Sequence, residues 1–405
     1  MAFLLEALLW AFALVLSIPA ATLLAQVLLA RRAKEFTGTA GSTGPVYGKV
    51  PRMAVLVPAH NEHSLIASTV GLLMAQLPPP HRLLVVADNC TDDTATLARS
   101  AGANVVERHD PARRGKGYAL DFGVRNLAQD PPDVLLIVDA DCIVQAGSLQ
   151  SLATAAWEKR CPVQALYLMN APANASLKQR VAAWAWRVKN WARPQGWHRC
   201  GWPCQLMGTG MAFPWPLVEQ MIGRNALANG HLVEDMKLGA DLALAGTPPM
   251  FCPEALVTSE FPTATAAQQS QRKRWEHGHL HVITSVAPRL LWQGIRRRHM
   301  PTVAMALDML VPPVALLALL LALLWCAALG LVLAAGAAYA APLVAASVLV
   351  VLFKLALWRA WWGWGRDLVS AREWLQVPFY LAGKLPVYLS FLFKRQKAWV
   401  RTDRK

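Results

Sequence analysis

Charged residues are scarce in this sequence of 405 residues, and acidic residues are the scarcer kind. Only 16% of the residues are charged, whereas 55% are hydrophobic and the mean hydropathy is +0.30. A soluble domain usually carries about 25% charged residues, so this composition is too apolar for one and predicts membrane spans. An internal repeat is also lacking, which argues against a solenoid or a propeller.

The surplus of basic residues, 40 against 25 acidic ones, gives a net charge of +15 and a pI near 9.8. Such a balance fits either nucleic acid or an anionic membrane surface. The basic residues, however, concentrate beside apolar segments, as in the run from Arg296 to Arg298. We therefore predict membrane lipids as the partner and no nucleic acid.

Long runs without charge predict where the chain crosses the membrane. The run from Ala7 to Ala30 is long enough to span a bilayer and lacks the cleavage site of a secretory signal, so it predicts a retained anchor. Arg31, Arg32 and Lys34 follow this run, and only Glu6 precedes it. The positive-inside rule therefore places the N-terminus outside and the next domain in the cytoplasm.

Two more apolar runs, Val314 to Leu333 and Pro342 to Trp358, predict a hairpin of spanning helices, and Arg359 and Arg366 return the chain to the cytoplasmic side. The segment 374–393 contains two prolines and a lysine and predicts an interfacial or re-entrant element. We thus predict a multi-pass protein of the cytoplasmic (inner) membrane. Its segments are an anchor (1–31), a linker (32–51), a cytoplasmic domain (52–290), an interfacial segment with the hairpin (291–360), and an interfacial or re-entrant segment with a basic tail (361–405).

Between Arg52 and about Glu260, short β-branched runs alternate with helical stretches. This alternation predicts an α/β sheet with crossover helices, whose ligand loops follow the carboxyl ends of the strands. Strands are predicted over residues 53–57, 83–87, 134–138 and 163–168, and helices over 64–76, 93–101 and 118–127.

Two carboxylates, Asp139 and Asp141, follow the predicted strand 134–138 and are separated by one residue. Such a pair can hold a hard divalent cation, Mg²⁺ or Mn²⁺, through oxygen atoms while positions stay open for phosphates. The alternative is an ordinary turn at a strand end, which also favours Asp. The other strand ends must decide between the two interpretations.

Polar residues also follow the first two predicted strands. The first strand leads into Pro58, His60, Asn61 and Glu62, where a nucleotide base and ribose would lie. The second ends at Asp88, whose carboxylate can accept a hydrogen bond from a base or a ribose. These residues are predicted to contact a nucleotide.

The next segments contain two aspartates that suit a helix N-terminus and a lysine that suits phosphate binding. Asp92 and Asp93 suit the N-terminus of the following helix, where the helix dipole favours negative charge. Lys116 lies between Gly115 and Gly117 at the start of a predicted helix and could approach a diphosphate.

Tryptophan and basic residues are interleaved between Leu177 and Trp202. Tryptophan beside arginine suits the lipid headgroup layer, and an indole also stacks on sugar rings. Both an interfacial role and contact with a sugar acceptor stay open.

In their order along the chain, these segments resemble the family 2 inverting glycosyltransferases, whose catalytic domain has the GT-A fold. Later segments fit as well, and the last of them matches the Q-x-x-R-W signature of membrane-embedded members such as cellulose, hyaluronan and poly-N-acetylglucosamine synthases. The resemblance covers about residues 50 to 290. The later segments are Gly208-Thr209-Gly210 in the acceptor-loop position, Glu234-Asp235 before a helix, and Gln271 to Trp275 with Arg274.

The resemblance implies a role for each of these residues. Asp235 would be the general base that takes a proton from the acceptor hydroxyl. A divalent metal at the carboxylate pair would stabilise the leaving diphosphate with help from Arg274, and Asp139 would also contact the nucleotide-sugar. Gln271 and Trp275 would close the site over the nucleotide and acceptor. Gly208, Thr209, Gly210 and Glu234 would lie on the acceptor side. For residues 271–275, a basic amphipathic helix on the membrane is a second interpretation that is compatible with the first.

The resemblance also implies the reaction and its partners. A UDP-sugar donor would pass a hexosyl or N-acetylhexosaminyl group to a lipid-linked or polysaccharide acceptor, giving a β-linkage in exopolysaccharide or glycolipid biosynthesis. Three spans are few for a translocation pore, so we expect a single transfer or a pore completed by a homo-oligomer or a partner subunit. The alternatives are a nucleotidyltransferase, which would release pyrophosphate, and a non-catalytic membrane scaffold or transport subunit.

Cysteine and histidine patterns give little support for a zinc site. The close pair Cys200 and Cys204 has no second pair, and a cytoplasmic domain would keep its cysteines as thiols. His277 and His281 have the i, i+4 spacing of helical metal ligands, but no carboxylate completes the pattern. We favour interfacial or phosphate-proximal histidines.

Overall fold

A computed structural model describes residues 2–31, 51–227, 234–261 and 274–377, together with Tyr388. The chain divides into two compact units. The first, which we call the sheet unit, contains the described residues within Ala33–Asn170 and Pro203–Gln268. The second, the helical unit, contains Met1–Arg32, Ala171–Trp202 and Gln269–Gln396.

The sheet unit is built on a mixed sheet of eight strands, β3-β2-β1-β4-β7-β6-β8-β5 in spatial order. β1 to β4 are parallel neighbours, β7 is antiparallel to both β4 and β6, β8 is parallel to β6, and β5 is antiparallel to β8. The predicted α/β class and the GT-A type of sheet are confirmed. The strands are β1 (Met53–Ala59), β2 (Arg82–Asp88), β3 (Asn104–Arg108), β4 (Val134–Ile137), β5 (Ile143–Val144), β6 (Val163–Asn170), β7 (Met211–Pro214) and β8 (Met250–Glu260).

Apolar runs became the central strands because both faces of the sheet are covered by helices. All four residues of β4 are buried, and all but Pro58 of β1 are buried. The four predicted strands and three predicted helices are present within a few residues of the expected bounds. The helices of this unit are α2 (Ile66–Met74), α3 (Thr94–Ser100), α4 (Lys116–Leu127), α5 (Ser148–Lys159), α8 (Trp215–Gly223) and α9 (Glu234–Leu244).

Close packing of α4 against the sheet fixes the position of Lys116 at its first turn. A Cβ at Gly123 would lie 2.5 Å from Leu56 Cδ1 and 2.7 Å from Val86 Cγ2, so glycine lets the helix approach β1 and β2. The start of α4 is thereby held at the carboxyl edge of the sheet, where the predicted ligand loops lie.

The helical unit contains the three helices of the described chain that are long and apolar enough to cross a membrane, which is consistent with membrane association. They are α1 (Ala2–Leu29), α13 (Val314–Ala335) and α14 (Ala341–Trp364), close to the three predicted spans. Most of the predicted element 374–393 lies outside the described residues. The shorter helices are α6 (Leu177–Arg187), α7 (Arg193–His198), α10 (residues 274–281), α11 (Ala287–Arg296) and α12 (Met300–Leu310).

A buried polar network joins α1, α7 and α12. Gln26 Nε2 donates to Asp308 Oδ1 at 2.6 Å, and Arg193 donates through Nε to Gln26 Oε1 at 3.1 Å and through a terminal nitrogen to Asp308 Oδ1 at 2.7 Å. Arg193 is 2% exposed and Asp308 7% exposed. Gly196 permits the contact, because a Cβ there would lie 2.0 Å from the Gln26 carbonyl oxygen.

The tryptophan-rich segment packs largely inside the helical unit. Trp184 and Trp197 are 3% and 4% exposed, and Trp197 Nε1 donates to the Ala304 carbonyl at 3.0 Å. These two indoles therefore belong to the core, and the expectation that they face lipid or sugar is wrong for them. Trp186 is different, since its ring centroid lies 4.9 Å from that of Trp275 in α10.

Candidate active site

The two carboxylates after β4 lie side by side. Ligand atoms of Asp139, Asp141 and Cys142 all lie within 4.8 Å of one another, and both Asp residues are half-buried. The Asp139 backbone N–H donates to Thr209 Oγ1 at 3.0 Å, and the Cys142 N–H donates to the Asp139 carbonyl at 3.1 Å. A buried threonine and a tight turn therefore hold the predicted metal ligands in place.

The third member of this group is the buried thiol of Cys142. Its pKa is raised well above the usual value, first by burial and then by the charges of Asp141 and Asp139. Its Sγ lies 3.6 Å from Asp141 Oδ1, and Thr209 Oγ1 donates to Sγ at 3.5 Å. The carboxylate oxygens of Asp139 and Asp141 are hard ligands, which fit a hard cation such as Mg²⁺ or Mn²⁺.

Three charged groups meet around Gly208. The Lys116 ammonium forms an ion pair with Asp139 and donates to the Gly208 carbonyl at 2.8 Å. A Cβ at Gly208 would lie 3.4 Å from Asp235 Oδ2 and 3.9 Å from Lys116 Nζ, and its φ is +89°. Gly208, Lys116 and Asp235 also line a narrow cavity with Leu120 and other apolar residues. The glycine therefore leaves room for the predicted base close to the predicted phosphate-binding lysine.

Asp88 is held by a cation that the sequence interpretation missed. Arg108, the last residue of β3, donates to Asp88 Oδ1 at 2.7 Å and to Asp110 Oδ2 at 3.0 Å. Its guanidinium lies 5.6 Å from the centroid of the Tyr118 ring, and His60 Nδ1 lies 2.7 Å from the Asp88 carbonyl oxygen. The position of Arg108 in the chain could have indicated this contact. β3 is parallel to β2, so the last residues of both strands lie at the same edge of the sheet.

The loops after β1 and β2 are tied to each other. Asn61, with a φ of 54°, accepts the Thr91 N–H through Oδ1 at 2.7 Å, and the Glu62 N–H donates to Thr94 Oγ1 at 2.8 Å. Asp92 Oδ1 accepts the Thr94 N–H at 3.1 Å, as expected for a helix start, whereas Asp93 makes no side-chain cap bond. Of the predicted nucleotide contacts, Pro58 lies inside β1, and His60, Asn61 and Glu62 follow its well-braced end.

Hydrogen bonds from Gln164 hold the predicted acceptor loop in place. Gln164 is a second residue that the sequence interpretation missed. This fully buried side chain donates to the Thr209 carbonyl at 2.9 Å and accepts the Met207 N–H at 2.8 Å. Gly210 has a φ of +65°, and a Cβ there would lie 2.9 Å from both Ala165 Cβ and Val257 Cγ2. A glutamine in the otherwise apolar predicted strand 163–168 could have indicated a buried hydrogen-bonding role.

Replacing Gln164 with leucine should loosen this loop. The change would leave the Met207 N–H and the Thr209 carbonyl without their buried partner, which costs about 1–3 kcal/mol per group. We expect a lower unfolding midpoint and reduced turnover, measured by thermal unfolding and product release. Gln150→Leu in α5 is the control, because the Gln150 amide donates to Thr154 of its own helix. Equal effects in both variants would contradict the bracing role.

The remaining predicted residues fall in other places. Arg274 and Trp275 begin the described part of α10 in the helical unit, while Gln271 and the side chain of Glu234 lie outside the described residues. His277 is buried, and His281 lies 3.3 Å through Nδ1 from Ser285 Oγ. Within the described residues, neither histidine belongs to a group with metal-ligand geometry.

The model of the family described as "Glycosyltransferase like family 2" matches residues 51–278. The chain belongs to this family. The predicted membership is thereby confirmed, whereas the cellulose- and hyaluronan-synthase branch and the individual motif roles stay predictions.

Relatives of this family 2 glycosyltransferase resemble it over part of its length. It is 25% identical to the probable glycosyltransferase YdaM of Bacillus subtilis (strain 168) over 251 residues, 58% of this chain and 57% of that protein. It is 35% identical to glucosyl-3-phosphoglycerate synthase of Mycobacterium tuberculosis (strain H37Rv) over 97 residues, 22% of this chain and 29% of that one. The matched regions therefore span little more than half of the first relative and less of the second.

One solved structure is similar to the glycosyltransferase over almost its whole length. It is the mannosyltransferase PcManGT from Pyrobaculum calidifontis, in complex with GDP-Man and Mn²⁺. The TM-score is 0.56 at 19% identity, with 97% of this chain and 100% of that chain covered. At this identity the likeness shows the fold alone.

Proposed function

We propose that this family 2 glycosyltransferase transfers a hexosyl or N-acetylhexosaminyl group from a UDP-sugar to a membrane-associated acceptor, with inversion at the anomeric carbon. The observation that carries the proposal is the meeting of Lys116, Asp139 and Asp235 around Gly208. A phosphate-binding cation, a metal-binding carboxylate and a base are the groups that transfer from a nucleotide diphosphate requires.

Asp235 is the general base in this proposal. Its carboxylate lies beside the Gly208 backbone in a cavity with an apolar lining, where it can accept the proton of an acceptor hydroxyl. The hydroxyl oxygen then attacks the anomeric carbon from the face opposite the leaving diphosphate. A single displacement of this kind inverts the anomer, so an α-linked donor gives a β-linked product.

Asp139 and Asp141 would hold the divalent metal, and their oxygen atoms fit Mg²⁺ or Mn²⁺. When bound, the ion supplies positive charge to the leaving diphosphate. Lys116, at the N-terminus of α4, adds an ammonium on the same side, and the helix dipole favours an anion there. The presence of Mn²⁺ in the PcManGT complex supports this assignment.

Replacing Asp141 with alanine should weaken donor binding in the presence of metal. The variant would lose one of two carboxylate ligands, so the metal would contribute less to holding the diphosphate. We expect the donor affinity measured with Mn²⁺ to fall by at least about tenfold, equivalent to about 1.4 kcal/mol. Without metal, the variant and the unaltered protein should bind alike. An unchanged affinity with Mn²⁺ would remove Asp141 from the metal site.

The nucleotide base would lie at the ends of β1 and β2. The Asp88 carboxylate can accept from the N3–H of uracil, and Arg108 fixes its orientation. A guanine edge also carries N–H donors, and PcManGT was solved with a GDP-sugar, so a donor panel should contain both nucleotides. Preference for UDP-sugars is our expectation.

The acceptor would be lipid-linked or a growing glycan, in exopolysaccharide or glycolipid biosynthesis at the cytoplasmic face of the inner membrane. Three helices long and apolar enough to span the bilayer support a membrane-bound acceptor. The roles of Glu234, Gln271, Arg274 and Trp275 remain predictions, as does assembly with a second copy or a partner subunit.

The proposal is tested by measuring release of nucleoside diphosphate from the full chain in lipid nanodiscs. UDP- and GDP-sugars are supplied one at a time, with Mn²⁺, Mg²⁺ or a chelator, and with membrane lipid extract as acceptor. Metal-dependent release from one donor supports the proposal and identifies the sugar. Release of pyrophosphate would favour a nucleotidyltransferase, and absence of turnover with every donor would favour a scaffold or transport subunit.

A further inference from the structure

Lys116, the proposed diphosphate-binding residue, also contacts the proposed metal site. Its ammonium forms an ion pair with Asp139, one of the two carboxylates that would hold the ion, and donates to the Gly208 carbonyl at 2.8 Å. The Lys116 and Asp139 side chains are 22% and 32% exposed, so solvent screens the pair only in part. Asp139 therefore already has a cation beside it.

An ammonium and a divalent ion compete for the same carboxylate oxygen. Either cation is bound more strongly when the other is absent, because two positive charges held within a few ångströms of each other repel. The Lys116 ammonium donates to Oδ1 of Asp139. A divalent ion that takes this oxygen as its ligand therefore has to displace the ammonium from it.

We propose that Lys116 is a displaceable cation: it occupies Asp139 while the donor is absent and moves to the donor diphosphate when Asp139 binds the metal. The inference rests on the proposed metal site at Asp139 and Asp141 and assigns to Lys116 a role in the order of binding. Metal and nucleotide then favour each other, because the diphosphate gives the released ammonium a new anionic partner.

The position of Lys116 suits this exchange. It is the first residue of α4, where an arriving phosphate meets the positive end of the helix dipole. Glycine precedes and follows it, and Gly115 has a φ of +132°, so the backbone beside the lysine carries no side chain that would block a diphosphate. The long, flexible lysine stem allows the ammonium to move while the helix stays in place.

The exchange predicts opposite effects of Lys116 on the two ligands. With the ammonium removed, Mn²⁺ alone should bind more tightly, because it no longer displaces a cation. Nucleotide in the presence of Mn²⁺ should bind more weakly, because the diphosphate loses a cationic partner. The factor by which UDP strengthens Mn²⁺ binding should therefore shrink in the variant, although the attraction between the cation and the anionic diphosphate would keep part of it.

The test is Mn²⁺ binding to the full chain in nanodiscs, followed by the electron paramagnetic resonance signal of free Mn²⁺, with and without UDP. We expect Lys116→Gln to bind Mn²⁺ alone at least about tenfold more tightly, as for release of one charge-assisted hydrogen bond. Lys116→Arg keeps a cation and should stay close to the unaltered protein. Circular dichroism of both variants checks that the fold is retained.

The outcomes separate this inference from the proposed function. Mn²⁺ binding that is lost in the Asp141→Asn variant is assigned to the proposed site. If Mn²⁺ binds in an Asp141-dependent manner and Lys116→Gln binds it no more tightly, displacement is overturned and the metal site stands. If neither the unaltered protein nor Lys116→Gln shows Asp141-dependent Mn²⁺, with or without UDP, both the proposed metal site and the displacement are overturned.

Discussion

Replacing Asp235 with asparagine should abolish sugar transfer while donor binding stays nearly unchanged. The amide cannot take a proton from the acceptor hydroxyl, and loss of a positioned general base costs about 10²- to 10⁴-fold in rate. The carboxylates after β4 are untouched by the change, so the metal and the diphosphate keep their contacts. The loss should appear in kcat and hardly in the donor dissociation constant.

The measurement compares single-turnover transfer rates with donor affinity from calorimetry, both with Mn²⁺. Asp241→Asn is the matched control, because it lies on the same helix, α9, and its carboxylate forms an ion pair with Lys237 at the surface. We expect its rate to stay near that of the unaltered protein. Turnover retained in Asp235→Asn would reject Asp235 as the base, and a donor affinity lost together with turnover would indicate that Asp235 helps to hold the diphosphate.

The sequence alone predicted those parts of the sheet unit that depend on local pattern. β1 and β4 are continuous apolar runs, β2 and β6 are mostly apolar, and the helices between the strands follow a regular alternation. β5 has two residues and β7 four, and both pair in antiparallel fashion with strands distant in the chain. β5 and β7 form through pairing with these distant strands, so no local run of residues predicts them.

The candidate site was predictable to a similar degree. Asp139, Asp141, Asp88 and Lys116 follow strands or begin helices, so their chain positions indicate the edge of the sheet. Arg108 and Gln164 were missed because their roles depend on what lies opposite them in the folded chain, namely Asp88 and the Met207–Thr209 loop. The contact of Lys116 with Asp139 likewise joins residues 23 positions apart.

The helical unit shows the same limit for buried charge. Arg193 lies in a segment in which basic residues alternate with tryptophan, a pattern that predicts a surface facing lipid headgroups. It is instead paired with Asp308 and Gln26 in the interior, and His279 in α10 is buried close enough to Arg193 for that charge to act on it. Burial lowers the pKa of His279 well below its usual value, and the charges of Lys189 and Arg193 add to the effect.

Replacing Arg193 with methionine should be among the most destabilising single changes in the helical unit. The change leaves the Asp308 carboxylate, a side chain only 10% exposed, without its cation, and breaking one partner of a buried pair costs about 3–5 kcal/mol. Gln26 loses a donor at the same time. We expect a lower midpoint of thermal unfolding, measured by tryptophan fluorescence of the full chain in nanodiscs. Lys237→Met is the control, because its exposed ion pair with Asp241 is worth about 0–1 kcal/mol.

The triple variant Gln26→Leu, Arg193→Met and Asp308→Leu separates two effects on stability. One is the net contribution of the network, and the other is the destabilisation caused by removing one of its members. It removes all three polar groups and refills the space with apolar side chains, so no charge is left buried alone. Replacement of a buried ionic cluster in this way is often neutral or stabilising. We therefore expect the triple variant to unfold at a higher temperature than Arg193→Met. A triple variant less stable than the single one would show that the network itself stabilises the contact between α1, α7 and α12 beyond avoiding an unpaired charge.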